Sequence, residues 1–466
     1  MKKIAVVYGE LTSPLQKKAL SHLSSVILEQ TMQYPACIEY CTLSAPEEYR
    51  CIYIGTKKSN PYILKNSKNV LSKAEEYCIS VSDDAVVIEG FDDAGVLYGC
   101  VDFYNKYIVR FEYTNMHPDY FRNIWEEDKL PDFEYSSSPS VKNRGIWTWG
   151  HVIYNYNSFI DNMMRLKMNT LIIWNDFVPV NAADMIAYAH SCNIKVIWGF
   201  SWLWDTNCTL VDFDKLSEGA DAILDKFEKE YYPLGVDGIY FQSFTELNVE
   251  KIGDVLVAQA VTDFVNSTAQ KFFDKFGEIE LQFGIHATSV SQKLEYIKKT
   301  DPRIRLYWED CGSFPFSYLA SDIAQYDKMT DFVSEITTLR ENERFGAVTK
   351  GFVCLDWNEF EHLTGSFYID KCSKAVAKNR TDRKNKIWRY AEAYWIANAS
   401  KAYGTVKQMQ EKTKGDLYIT ALVEDGMFEE CIMYPVALYA EMLWDTDADL
   451  QKIMADVALR SYVEFA

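Results

Sequence analysis

The chain has 466 residues, of which 48% are hydrophobic and 25% are charged, and its formal net charge is −19. These proportions are typical of a globular protein, and the length suits a large domain with a smaller partner. Because nucleic acids and anionic membrane surfaces bind basic patches, the acidic balance argues against both as partners. No run of about 18 apolar residues is present, so the sequence predicts no membrane span.

Cysteine usage and the first residues indicate the cellular compartment. The 11 cysteines are an odd number and include no CxxC pair, which favours reduced thiols over a disulfide framework. Residues 1–10 hold two lysines and only a short apolar run, so they predict a first strand instead of a signal peptide. We therefore expect a cytoplasmic protein, and a homo-oligomer is compatible with the sequence.

Short strands and helices alternate in the first part of the chain. Strands are predicted at 4–9, 51–55, 77–82 and 85–90, and helices at 15–30 and 94–108. Segment 127–142 contains two prolines and four serines without apolar periodicity, which predicts a linker. The sequence thus predicts a smaller N-terminal α/β domain over residues 1–135.

From residue 143 the alternation becomes regular and predicts a second domain over residues 136–466. Strands are predicted at 143–149, 170–176, 195–202, 236–244, 280–287, 303–310, 350–356 and 417–424. Helical patterns separate them, most clearly at 157–168, 214–232, 255–277 and 385–414. Eight strands alternating with helices predict an α/β fold of the (β/α)8 TIM barrel class. A doubly wound open sheet is the alternative, but no Gly-rich phosphate loop follows any strand.

Polar and aromatic residues are concentrated at the predicted strand ends, where the active sites of (β/α)8 barrels form. The candidates are His151, Trp174, Asn175, Asp176, Trp202, Glu246, Trp308, Glu309, Asp310, Asp356 and Trp357. Because a barrel interior usually holds branched aliphatic residues, carboxylates and tryptophans gathered at one end predict a binding or active site.

This set of residues matches the needs of glycoside hydrolysis. One carboxyl group protonates the leaving oxygen, and a second acts on the anomeric carbon or on water. Aromatic walls stack on a sugar and exclude water, which raises the pKa of a nearby acid. We expect Glu246, at the end of the fourth strand, to be the acid and Asp310 to be the second carboxylate. The alternative for Glu246 is a surface position at the start of the next helix.

The remaining carboxylates and histidines have other expected roles. Glu309 and Asp310 are adjacent, so only one can face the pocket if the strand is regular to its end; capping of the following loop is the alternative for both. We expect Asp176 and Asp356 to bind sugar hydroxyls or to orient other groups. Six scattered histidines without HxxxH spacing make a zinc site improbable, so neither a metal nor a cofactor is predicted.

Three segments together resemble family 20 hexosaminidases and family 67 α-glucuronidases, in which a small α/β domain precedes a catalytic barrel. Residues 77–99 contain YCISVS, VIEG and DAGVLYG and resemble the end of that small domain. Residues 143–169, with NRGI and FIDNMMRLKMN, resemble the first barrel unit, and residues 439–445 (YAEMLWD) resemble the closing segment. The resemblance implies that Arg144 contacts sugar hydroxyls and that Trp444 lines the pocket.

The resemblance departs from family 20 at the fourth strand. That family ends the strand in an Asp-Glu pair, in which the Asp assists the substrate's acetamido group and the Glu is the acid. This chain has Thr245-Glu246 at the corresponding position. The acid carries over but the assisting Asp does not, which is more similar to the family 67 arrangement or to a divergent relative acting on N-acetylglucosaminides.

Three functions follow as hypotheses. The first is a glycoside hydrolase acting on oligosaccharides, with an N-acetylhexosaminide as the best candidate and a glucuronide as the alternative. The second is a non-catalytic sugar-binding protein on a degenerate barrel. The third, an aldolase or a metal-dependent hydrolase, needs a strand-end lysine or a histidine cluster, and the sequence shows neither. The expected partner is a carbohydrate.

Overall fold

The computed structural model describes most of the chain. The described residues are 3–40, 48–82, 85–108, 132–149, 153, 155–175, 177–203, 213–244, 249–310, 326–340, 344–349, 368, 374–413, 416–423 and 428–461. Two compact units are present. The first comprises Met1–Pro139, His190–Asn193 and Ala458–Arg460, and the second comprises the rest of the chain.

The first unit is built on a six-stranded sheet of order β2-β1-β3-β5-β4-β6. Its strands are β1 Lys3–Tyr8, β2 Ala36–Glu39, β3 Tyr49–Gly55, β4 Tyr77–Val81, β5 Val86–Gly90 and β6 Phe133–Ser137. The first four strands of this order are parallel, and β4 pairs antiparallel with both β5 and β6. Helices Pro14–Thr31, Pro61–Asn66 and Asp93–Asp102 connect the strands.

Local sequence explains where two of these helices begin. Ser13 and Gln16 form a capping box at the start of Pro14–Thr31, and the proline occupies the first turn, where its missing N–H costs nothing. Asp92 caps the helix Asp93–Asp102 by accepting a hydrogen bond from the Gly95 N–H at 2.8 Å.

Three details of this unit differ from the sequence predictions. Strand β2 and the helix Pro61–Asn66 were not predicted. The segment 127–142, predicted to be a linker, contains β6 at Phe133–Ser137. Alternating exposure along β6 places it at the edge of the sheet, where a polar sequence forms a strand because only one side needs a partner. A domain boundary at residue 135 would divide this strand.

The second unit is a closed barrel of eight parallel strands, in the order β10-β13-β14-β15-β16-β7-β8-β9. The strands are β7 Asn143–Trp149, β8 Thr170–Trp174, β9 Lys195–Gly199, β10 Gly238–Phe241, β13 Glu280–His286, β14 Arg305–Glu309, β15 Phe345–Thr349 and β16 Tyr418–Leu422. A small hairpin, β11 Lys251–Ile252 with β12 Val255–Leu256, precedes the helix Val257–Phe276. The predicted (β/α)8 barrel with a preceding α/β domain is confirmed.

Helices alternate with the barrel strands. The α-helices of this unit are Tyr156–Arg165, Ala182–Ser191, Leu216–Lys226, Val257–Phe276, Leu294–Ile297, Tyr326–Thr337, Lys374–Lys412, Tyr434–Trp444 and Leu450–Ala458. The seventh strand was predicted at 350–356, but the structure places it at Phe345–Thr349. Its GAV core, a short run without bulky residues, gave a weaker strand signal than the aromatic segments elsewhere in the barrel.

The barrel interior is unusually aromatic. One buried cluster joins Trp147, Ile172, Trp174, Ile197, Tyr240, Tyr307, Val348, Tyr418 and Leu422. Large rings fit because two strands carry glycine beside them: a Cβ atom at Gly346 would overlap the Tyr307 ring, and one at Gly284 would overlap the Tyr240 hydroxyl. No described helix is both long enough and apolar enough to cross a membrane.

Candidate active site

Glu309 is the central carboxylate of the candidate site. It is the last residue of β14, at the carboxyl end of the barrel, and is fully buried. Its Oε1 accepts hydrogen bonds from the Tyr240 hydroxyl and from the side-chain amide of Gln242. Both donors are neutral and both belong to the fourth barrel strand or the residue just after it. Hydrogen bonds donated to a carboxylate favour its charged form.

These hydrogen bonds cross an intervening strand. In the barrel order β10-β13-β14, strand β13 separates Tyr240 from Glu309. Gly284 occupies the gap, and a Cβ atom there would overlap the Tyr240 hydroxyl and lie 2.8 Å from Glu309 Oε1. Only glycine at this position leaves room for the contact.

Three aromatic rings surround Tyr240 with edge-to-face geometry. Its ring centroid lies 5.8 Å from that of Trp147, 6.1 Å from Trp174 and 5.5 Å from Tyr307. Interplanar angles of 74° to 85° are those that aromatic quadrupoles favour. These rings hold Tyr240 in one orientation beneath the carboxylate.

Tyr307 extends the polar contacts to the eighth strand. Its hydroxyl lies 2.8 Å from the Thr420 hydroxyl. Burial raises the pKa of Tyr307, and the Thr420 hydrogen bond opposes this only in part. Tyr307 is therefore a neutral phenol at all ordinary pH values.

Among the histidines that the structure describes, His286 is paired with Glu309 in the sheet register. It is the last residue of β13 and pairs with Glu309 across the two strands, so both side chains lie on the same face. His286 is partly exposed. An imidazole beside a carboxylate can donate a hydrogen bond to a ligand or exchange a proton with it.

Asp310 has different surroundings from Glu309. It is fully buried, and its backbone N–H donates to the Val348 carbonyl at 3.2 Å. Tyr439, in the helix Tyr434–Trp444, hydrogen bonds to Thr349. Burial raises the pKa of Tyr439, and the nearby charge of Asp310 raises it further. Alternation along β14 places Arg305, Tyr307 and Glu309 on the interior face, so Asp310 lies toward the helices. The carboxylate on the barrel interior is Glu309, whereas Asp310, predicted to be the second carboxylate, lies on the opposite face.

Trp202 and Trp308 lie in the layer between the strands and the helices. Trp202 stacks on Phe241 at 3.7 Å and on Phe272, of the helix Val257–Phe276, at 5.3 Å. Trp308 packs edge-to-face on Phe332 of the helix Tyr326–Thr337 at 6.2 Å. Both were expected at the site, but they point outward. Trp308 alternates with the inward Glu309 along β14, and Trp202 stacks on Phe241, which alternates with the inward Tyr240 along β10.

Arg144 and Trp444 lie at the amino end of the barrel, opposite the candidate site. The Arg144 guanidinium donates to the carbonyls of Val141 and Lys142 at 3.2 and 3.1 Å. It also lies 4.7 Å from the Trp444 ring centroid, and the buried Lys167 ammonium lies 4.4 Å from the same ring. Arg144 and Trp444, which the resemblance implied to be sugar-binding residues, therefore form a cation–π cluster with Lys167.

Trp174 and Asn175 occupy the end of the second strand, as predicted. Trp174 is part of the interior cluster. Asn175 is buried, and its Oδ1 accepts a hydrogen bond from the Phe177 N–H at 3.0 Å, which shapes the turn after the strand. Five predicted site residues lie outside the described residues: His151, Asp176, Glu246, Asp356 and Trp357.

Sequence reasoning did not assign a role to Tyr240, Gln242 or Gly284. Tyr240 and Gln242 alternate on the strand that leads to Glu246, which was a usable signal for the inward face. The contact with Glu309 had no sequence signal, because it joins strands that are not neighbours. Among the described residues, no group of three His, Cys, Asp or Glu side chains has metal-binding geometry.

Comparison with known proteins gives a consistent group of neighbours. No protein-family model matches the chain. The solved structure of CpGH84D matches 97% of this chain and 68% of its own, with a TM-score of 0.54 and 13% identity. A β-N-acetylhexosaminidase from Bacteroides fragilis matches 96% of this chain and 88% of its own (TM-score 0.52, 13% identity).

A GH20 exo-β-N-acetylglucosaminidase from Vibrio harveyi, solved with N-acetylglucosamine, matches 98% of this chain and 73% of its own (TM-score 0.53, 11% identity). At this level of identity the similarity shows a shared fold. The chain thus has, over nearly its whole length, the fold of glycoside hydrolases from several families.

Proposed function

We propose that this protein is a glycoside hydrolase. The observation that carries the proposal is Glu309, a buried carboxylate at the carboxyl end of a barrel strand, held by Tyr240 and Gln242. Carboxylates at this end of a (β/α)8 barrel are where catalysis takes place in enzymes of this fold. The structural neighbours among glycoside hydrolases support the same assignment.

Two carboxyl groups divide the chemistry. Glu246 is the proton donor to the leaving oxygen, and Glu309 is the second carboxylate, acting on the anomeric carbon or on water. Glu309 replaces Asp310 in this role because it shares the interior face with Tyr307 and Arg305. The donors on Oε1 orient Glu309 for this role, whereas the general acid must carry a proton. His151, Trp174, Asp176, Asp356 and Trp357 complete the proposed binding site.

An N-acetylhexosaminide is the substrate that the observations favour. Two of the structural neighbours are described as acting on N-acetylhexosamine or N-acetylglucosamine linkages. Another is a 4-O-methyl-α-glucuronidase (TM-score 0.53, 14% identity), which supports the glucuronide alternative. The net charge of −19 repels an anionic sugar and so favours a neutral one.

The organisation and location of the protein are part of the proposal. We place the boundary of the catalytic barrel domain after residue 139, where the compact units separate and where β6 stays intact. Six described cysteines carry free thiols, two examples being Cys78 and Cys100, which supports a reducing, cytoplasmic compartment.

Paired variants test the catalytic assignment. Glu246→Gln and Glu309→Gln are each expected to lower kcat on N-acetylglucosamine oligosaccharides by about 10²–10⁴-fold, because each removes a carboxyl group needed in the transition state. Asp310→Asn is the matched control, since it changes the adjacent buried carboxylate on the opposite face. Initial rates on chitooligosaccharides, aryl N-acetylglucosaminides and aryl glucuronides provide the measurement.

Three outcomes would contradict the proposal or parts of it. A folded Glu246→Gln protein that retains the wild-type rate on an oligosaccharide removes Glu246 as the acid. Loss of activity in Asp310→Asn but not in Glu309→Gln reverses the assignment of the second carboxylate. Micromolar sugar binding by calorimetry with no turnover on any substrate establishes the non-catalytic sugar-binding protein instead.

A further inference from the structure

Tyr240 lies below Glu309, the second carboxylate of the proposed reaction, and its hydroxyl donates a hydrogen bond to Glu309 Oε1. Its ring is buried and fixed by edge-to-face contacts with Trp147, Trp174 and Tyr307. A phenol held in this way loses little conformational freedom when its hydroxyl donates to Glu309. The hydrogen bond is charge-assisted, which makes it stronger than a bond between neutral groups.

Gly284 makes this arrangement possible. Tyr240 and Glu309 belong to strands that are separated by β13, and their hydrogen-bonded atoms lie beside Gly284, where a Cβ atom would overlap the Tyr240 hydroxyl. Gly346 provides a similar space elsewhere in the interior, beside the Tyr307 ring, but not beside Glu309. The two glycines therefore differ in what lies beside them. The Tyr307 ring packs on Gly346, whereas the hydrogen bond between Tyr240 and Glu309 passes Gly284.

We propose that Tyr240, reaching through the gap at Gly284, is a positioning residue that orients Glu309 for the second carboxylate role. This inference rests on the proposed function. Tyr240 acts through Glu309 and does not itself touch substrate. Gln242 donates to the same Oε1 from one residue beyond the strand, so the two donors orient one oxygen from one side.

Unfolding measurements test the pairing without any requirement for activity. Tyr240→Phe removes the hydroxyl and keeps the ring, and we expect it to lower Tm by about 2–4 °C at neutral pH. In a Glu309→Gln background the same change should cost clearly less, because the charge-assisted bond is already gone. An equal Tm loss in both backgrounds would show that the Tyr240 hydroxyl does not depend on the Glu309 charge, and would overturn the proposal.

Kinetics test the use of the pairing in catalysis. Tyr240→Phe should lower kcat by about tenfold to a hundredfold with KM little changed, and should move the acid limb of the pH–rate profile to higher pH. The direction follows because a carboxylate that loses a donor is protonated more easily. An unchanged acid limb in a folded Tyr240→Phe protein would contradict the positioning role.

Gly284→Ala and Gly346→Ala form a matched pair. Each adds one methyl group to the crowded interior, but only Gly284→Ala separates Tyr240 from Glu309. Gly284→Ala should reproduce the acid-limb shift of Tyr240→Phe, whereas Gly346→Ala should reduce Tm without moving that limb. Identical profiles for the two alanine variants would overturn the role of Gly284. If the wild-type protein hydrolyses no glycoside, the proposed function fails, and the unfolding cycle alone decides whether Tyr240 and Glu309 are paired.

Discussion

The peptide bond between Glu309 and Asp310 joins two carboxylates with different surroundings. Glu309 lies on the barrel interior with neutral donors from Tyr240 and Gln242, and Asp310 lies toward Tyr439 and the helix layer. Both are fully buried, so exposure does not separate them. The two side chains differ in the direction in which they point, because successive residues of a regular strand point to opposite faces.

Strand alternation also separates Trp308, which points to the helices, from Trp174, which points into the barrel. Trp308→Phe, in the strand–helix layer, should lower the free energy of unfolding by about 1–3 kcal/mol through a cavity beside Phe332. It should leave KM unchanged. Trp174→Phe, in the interior cluster, should raise KM by about twofold to tenfold, because we propose that this ring lines the sugar site.

Urea denaturation and initial-rate kinetics on the same preparations distinguish the two tryptophans. The assignment of Trp308 to the structural layer is wrong if Trp308→Phe raises KM as much as Trp174→Phe does. A Trp174→Phe protein with wild-type KM would remove that residue from the proposed sugar site.

At the scale of elements, the buried Arg305 joins strands at the amino end of the barrel. Arg305 of β14 donates through Nε to Glu280 of β13 at 2.5 Å and through Nη2 to Asp416, before β16, at 2.9 Å. Its guanidinium also lies 4.0 Å from the Tyr418 ring centroid. Its partners Glu280, Asp416 and Tyr418 line a cavity of about 540 Å³ at the end of the barrel away from the candidate site.

Arg305 and Arg303 provide a matched comparison two residues apart. Arg305→Met leaves two partly buried carboxylates without their cation and should lower the free energy of unfolding by about 3–5 kcal/mol. Arg303→Met removes a cation that is 45% exposed and pairs with Asp301, and it should change stability by less than about 1 kcal/mol. Chemical denaturation measures both; equal losses would show that burial of the Arg305 network is unimportant.

At the scale of the whole molecule, the same network predicts how stability depends on pH. Burial alone would raise the pKa of Asp416, but Arg305 and Lys142 outweigh it, so the pKa lies below the ordinary value of 3.8. A carboxyl group whose pKa is lowered by folding stabilises the protein above its unfolded-state pKa. That contribution is lost as pH falls through the folded-state value.

Thermal unfolding between pH 2 and pH 7 tests this dependence. Asp416→Asn should flatten the decline of Tm below pH 4, whereas Asp225→Asn should leave it unchanged. Asp225 also has a lowered pKa, caused by its hydrogen bond to Lys229, but it is fully exposed. If Tm falls below pH 4 in Asp416→Asn as steeply as in the wild-type protein, other carboxylates cause the acid sensitivity.

Much of the architecture could be predicted because it depends on local periodicity. Apolar runs such as those of β8 and β9, separated by helical patterns, are sufficient to predict a (β/α)8 barrel, and its closed eight-stranded form is confirmed. The edge strand β6 and the seventh strand were misplaced because a polar edge and a GAV core carry weak local signals. Periodicity also indicated that one end of the barrel would collect polar and aromatic residues.

The sequence by itself therefore determined the fold class and the end of the barrel where chemistry is expected. Only the tertiary structure decided which side chains meet there. Glu309 faces Tyr240 across β13 because barrel closure and the register of β13 and β14 bring them together at Gly284. In the same barrel, Trp202 and Trp308 pack against the helices. Arg144 and Trp444 lie at the end of the barrel opposite Glu309. Contacts between non-adjacent strands depend on this long-range geometry, which no local pattern contains.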